Sequence, residues 1–141
     1  MSLPNVNITL GNGNIGAVTL SDDGIAGLIL TGTAVSSTLE LNKVYVIAST
    51  SDLKKLGLTA ENNPLAYKEV LGFYESAGDG AELHLLVVDA AKTLTEICSM
   101  EDGSPLKTLI DSAAGRIRLV GINRNPEDAY EPTVTSGIDQ D

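Results

Sequence analysis

The sequence predicts an α/β fold, a three-layer arrangement in which a mixed, largely parallel sheet is flanked by helices, with an extended arm at its N-terminal end. Three observations carry that prediction. Twice between residues 63 and 122 a proline-started amphipathic helix closes on a glycine and gives way to a short apolar run. The runs are Leu83-His84-Leu85-Leu86-Val87-Val88 and Ile117-Arg118-Leu119-Val120-Gly121-Ile122. Runs this continuous suit strands covered on both faces. The opening residues behave differently. Residues 3–10 alternate, with Val6, Ile8 and Leu10 on one side and Asn5, Asn7 and Thr9 on the other, the pattern of a half-buried strand.

In chain order, Gly11-Asn12-Gly13-Asn14-Ile15-Gly16 reads as a joint, residues 17–20 as a brief extended piece and Asp22-Asp23-Gly24 as a turn. A strand is predicted over residues 27–31 and further extended pieces over residues 39–41 and 44–48. Ser51-Asp52 can then cap a short helix at residues 53–56 that Gly57 ends. Asn63 and Ser104 are placed to cap the two longer helices, with Pro64 and Pro105 where a missing N–H costs nothing. In the first, Ala66, Val70, Phe73 and Ala77 make the buried stripe, with Tyr67, Leu71 and Tyr74 beside it; in the second, Leu106, Leu109, Ile110 and Ala113 repeat the spacing. Gly78 and Gly115 suit left-handed helix ends. Three segments follow: residues 1–20 as arm and joint, residues 21–124 as the α/β body, and residues 125–141, with Pro126 and Pro132, as an acidic linker. Within the last, residues 135–141 resemble a helix being opened, which points to a chain continuing into a missing C-terminal part.

The 141 residues suit one domain, large enough to bury roughly 70% of the surface of the unfolded chain. Nine basic residues face nineteen acidic ones for a formal charge of −10, and no basic cluster tracks a phosphate backbone, which argues against direct nucleic-acid binding. No apolar run is long enough for membrane insertion as a helix. Cys98 is the single cysteine, and Leu94 and Ile97 at helical spacing predict it to be a buried thiol.

No catalytic constellation emerges. Gly11 to Gly16 fits G-x-G-x-x-G, but the dinucleotide fingerprint needs its last glycine to open a long helix, and Asp22-Asp23-Gly24 arrives too soon. His84, the only histidine, reads as a sheet-edge or capped core residue, and no metal or cofactor is expected. The best small-molecule alternative places Ser49-Thr50-Ser51-Asp52, Asp89 and Asn123-Arg124-Asn125 together at strand ends, where helix capping explains the same residues. The sharper expectation falls on Asn5, Val6, Asn7, Ile8, Thr9 and Leu10, a strand on a glycine joint able to pair with its own sheet or with a neighbour's.

Residues 3–16, then Asp22-Asp23-Gly24-Ile25-Ala26-Gly27-Leu28, then Val44-Tyr45-Val46-Ile47-Ala48-Ser49-Thr50-Ser51-Asp52-Leu53-Lys54-Lys55-Leu56-Gly57-Leu58-Thr59, and Phe73-Tyr74-Glu75-Ser76-Ala77-Gly78-Asp79-Gly80-Ala81-Glu82-Leu83, together resemble the N-terminal part of contractile tail sheath proteins of phages and prophages. The resemblance implies a non-enzymatic subunit of the virion tail, made in the host cytoplasm. Such a subunit forms homo-oligomeric rings in a helical sheath around a tail tube protein and contracts without nucleotide hydrolysis. It also implies that Asn5 to Leu10 is the arm exchanged between subunits, and that a chain lacking the family's C-terminal domain and second arm does not contract by itself. Two alternatives remain: a flavodoxin-like or Rossmann-like small-molecule binding module, and a different phage structural protein built on the same layered domain.

Overall fold

The computed structural model describes residues 25–141. It begins with β1 (Ala26–Thr31), followed by β2 (Val44–Ile47), α1 (Thr50–Lys55) and α2 (Pro64–Ala77). Then come β3 (Leu83–Val88), α3 (Leu94–Cys98), α4 (Pro105–Ser112) and β4 (Leu119–Asn123), and the chain closes with two short strands, β5 (Val134–Thr135) and β6 (Ile138–Asp139). The main sheet runs in the order β2-β3-β1-β4. β1 is parallel to both β3 and β4, whereas β2 is antiparallel to β3. The mixed, largely parallel sheet between helices is thus the architecture of the chain.

Side-chain alternation along β1 and β3 divides the core into two layers. Ala26, Leu30, Leu83, Leu85 and Val87 pack on Ala66, Val70 and Tyr74 of α2 and Leu53 of α1, while Ile29, Leu86 and Val88 pack on Ile97 of α3 and Leu109 of α4. All six residues of β3 are buried, which explains why its sequence shows no polar alternation. The buried stripe of α2 is Ala66, Val70 and Tyr74, an i, i+4, i+8 line; Phe73 is only half-buried and Ala77 is exposed. The aromatic at position 74 takes the core place because it lies one turn beyond Val70, directly over the sheet.

Local details depart from expectation for identifiable reasons. The Asn63 and Ser104 side chains do not cap their helices. Ser104 Oγ instead donates to the carbonyls of Ser99 and Glu101 at 2.5 and 2.7 Å. Cys98 is exposed, because α3 is only five residues long and Ile97 takes its inward position. Residues 135–141 form no helix opening: β5 and β6 pair antiparallel around Ser136 and Gly137, both at positive φ. Two central residues with positive φ make the two-residue turn whose twist matches a hairpin.

Candidate functional site

The arm at Asn5 to Leu10, the glycine motif at Gly11 to Gly16 and the Asp22-Asp23 pair all lie outside the described residues. The strand-end groups can be placed. Because β2 is antiparallel, with Ile47 opposite Leu83, Ser49 and Asp52 lie by the start of β3, while Asp89 follows its end. Six residues of strand put these groups about 20 Å apart. Asp52 and its neighbours therefore form no common site with Asp89 and Asn123.

Asp52 serves the start of α1. Its Oδ2 accepts from the Ala48 N–H at 3.0 Å and the Ser49 hydroxyl at 3.2 Å, and Lys55 Nζ lies 2.6 Å from Oδ1. The Lys55 hydrogen bond and then the Ala48 amide hold the carboxyl down at about 2. Nearby, burial first and then the Asp52 and Asp79 charges push the Tyr74 phenol well above its usual range.

At the opposite end, the residues that follow β1, β3 and β4 meet the start of α2 around a crevice at the carboxyl ends of the parallel strands, the place where α/β sheets hold ligands. The cavity is about 200 Å³ and is lined by Thr31, Gly32, Thr33, Asn63, Ala90 and Asn125 among others. Its polar groups are engaged with one another. Buried Asn63 accepts from the Thr33 N–H at 2.7 Å and donates to the Thr33 carbonyl at 3.1 Å, and Thr31 Oγ1 accepts from the Asn125 N–H at 2.8 Å. Asn63 Oδ1 comes so close to Gly32 that a Cβ there would collide with it, which explains a glycine at the end of β1. Asp89 folds onto the Ala91 N–H at 2.9 Å as a turn.

His84 lies buried in a central strand, between Glu82 and Ser112. Its Nε2 is 2.9 Å from Glu82 Oε1 and its Nδ1 is 3.2 Å from Ser112 Oγ. A serine, a histidine and a carboxylate in line have the composition of a hydrolase triad, but the Ser112 hydroxyl donates to the Leu109 carbonyl at 2.6 Å. A nucleophile must give its proton to the imidazole. Here that proton is engaged within α4, and the three residues pin α4 to β3 as a capped core histidine does. Among the described residues no group of three or more His, Cys, Asp or Glu is placed to hold a metal, and no helix is long and apolar enough to cross a membrane.

The sequence places Arg124 among the strand-end polar groups but does not announce its partners. Its guanidinium lies 2.6 Å from Asp141 with both side chains largely buried, donates through Nε to the Lys92 carbonyl at 2.8 Å, and stacks 4.4 Å over the Tyr130 ring. Tyr130 in turn donates to Asp139 at 2.5 Å, which raises the phenol and lowers the carboxyl. The available signal was Ser136-Gly137 between Val134-Thr135 and Ile138, a hairpin turn in composition.

The large apolar side chains left exposed include one on each rim of the sheet. Val46 on edge strand β2 is 60% exposed and Leu119 on edge strand β4 is 69% exposed. The chain belongs to the DUF2586 family. Residues 3–128 match the family's N-terminal domain, a span that takes in the whole four-stranded sheet and the arm. No curated protein and no solved structure matches this DUF2586 domain.

Proposed function

We propose that this DUF2586 domain is a non-enzymatic structural subunit of the contractile tail sheath type, polymerising around a tail tube protein through exchanged N-terminal arms. One observation supports this reading above others. The polar side chains that gather at the strand ends and around His84 bind one another or the backbone, whereas each edge strand holds one large apolar side chain out to solvent, Val46 on β2 and Leu119 on β4. An enzyme keeps polar groups free for substrate; a building part keeps its sticky surface on the outside. The tail sheath resemblance supplies the kind of assembly: homo-oligomeric rings in a virion tail, put together in the host cytoplasm.

Sedimentation of the chain over a rising concentration series tests this, compared with a variant lacking residues 1–16. Arm-dependent association is expected, and a chain that stays monomeric with and without those residues would overturn it. The crevice favours a second reading, a small-molecule module. Its 200 Å³ falls below the roughly 300 Å³ at which ligand pockets begin, and Asn63 is already engaged. A thermal-shift screen with nucleotides and flavins decides between the two, since a ligand at 100 times its Kd stabilises by about 2.7 kcal/mol. No shift is expected.

A further inference from the structure

We propose that the outer edge of β4 is a strand acceptor, and that its occupant is the segment Asn5 to Leu10. This names the receiving surface for the arm exchange proposed above and rests on that reading only for the choice between own and neighbouring chain.

The hydrogen-bond parity of the sheet identifies the groups on offer. The Ala26 N–H donates to the Glu82 carbonyl and the Gly32 N–H to the Val88 carbonyl, so even-numbered residues of β1 bond to β3 and odd-numbered ones face β4. In a parallel pair, the residue opposite one that points across the gap points away from it. Gly27 is opposite Val120 and Ile29 is opposite Ile122. The amides and carbonyls of Val120 and Ile122 therefore face outward, on the side of β4 where no further strand lies among the described residues.

The side chains agree. In β4 Leu119 and Asn123 are exposed and the three residues between them half-buried, the profile of a strand that a further strand would turn into an interior one. Edge strand β2 is obstructed at both of its ends. Lys43 stands at its head, the Glu40 N–H donates to the Tyr45 hydroxyl, and at its tail both Ala48 backbone groups are engaged by Gly80 and Asp52. Lysine and local closure are the usual devices against strand addition.

A second copy's β4 fits the edge poorly. Pairing two such edges brings together copies that each carry a charge of −10. The segment Asn5 to Leu10 carries no charge and alternates apolar with small polar residues, which suits strand addition without that repulsion. Residues 11–24 span up to about 50 Å when extended, enough to reach β4 of the same chain or of an adjacent one.

Amide hydrogen exchange by NMR tests the edge directly. In the full chain the Val120 and Ile122 amides are expected to exchange about tenfold or more slowly than in a chain lacking residues 1–16, with Gly121 and Asn123 nearly unchanged. Disulfide trapping then assigns the donor. Two chains are mixed on a Cys98→Ser background, one carrying Leu119→Cys and the other a cysteine at each of residues 5–10 in turn. Cross-linked heterodimer supports both the acceptor edge and exchange. A bridge that forms only within a chain carrying both cysteines supports the edge and overturns exchange. Capture by Val46→Cys in place of Leu119→Cys overturns the β4 assignment while leaving exchange standing. Equal exchange of the Val120 and Ile122 amides in the two chains, with no cross-link at all, overturns both.

Discussion

Single residues show where sequence rules apply and where distance defeats them. Asn63 stands where an N-cap belongs, but its side chain binds the Thr33 backbone, thirty positions away, and nothing in a local motif announces that partner. Replacing Asn63 by alanine strands the Thr33 N–H and carbonyl, at a cost of about 1–3 kcal/mol readable in urea denaturation. Gly32→Ala is expected to destabilise by a similar route, because a Cβ displaces the Asn63 amide. Asp52 is a different case, since its partners are all local: the sequence marks a helix start there, but α1 begins at Thr50 behind Ser49, so Asp52 sits in the first turn and not at the cap. Its carboxyl titrates at about 2 in the fold against 3.8 for the free group, so between those values the unfolded chain binds more protons. The stabilisation is present above pH 4 and drains away as pH falls towards 2. Thermal unfolding midpoints should therefore drop over that window in the natural chain and drop less in Asp52→Asn.

At the scale of elements, the two helix-and-strand units were legible because amphipathic period and proline start agree, although only α2 ends directly on its glycine: α4 stops at Ser112 with Ala113 as its cap, before Gly115. Strand order and the antiparallel sense of β2 were not, since both depend on which apolar faces meet across a long separation. That reversal sends Ser49 and Asp52 away from Asp89 and removes the ligand site the sequence made conceivable. The end of the chain failed for another reason. Asp139 and Asp141 look like first-turn acids, but Arg124 and Tyr130 bind them as a hairpin, and the cation supplying that attraction lies outside any window a helix rule inspects. The hairpin consists of two paired residues on each side, too few to persist alone. Arg124→Ala should then release it. Faster amide exchange at Gln140, whose N–H donates to the Thr133 carbonyl, is expected alongside little change at β1 and β3. Unchanged exchange at Gln140 would show that Arg124 does not hold the hairpin.

For the whole molecule, the decisive quantity is charge. Each chain carries −10, so copies brought together edge to edge repel, while the strand proposed to join them is uncharged and bonds through its backbone. Salt separates these contributions, because the Debye length shrinks from about 30 Å at 0.01 M to about 10 Å at 0.1 M, whereas backbone hydrogen bonds between uncharged strands change little. Raising the salt across that range should therefore shift sedimentation towards larger species. The arm-deleted chain feels the same screening but has no strand to donate, and it should stay small throughout. Association held by surface ion pairs would behave in the opposite sense and dissolve as salt rises. Assemblies that come apart with salt would accordingly rule out an uncharged arm as the joint. Growth in the intact chain alone would place the attraction in the backbone of the arm and the repulsion in the acidic body it links.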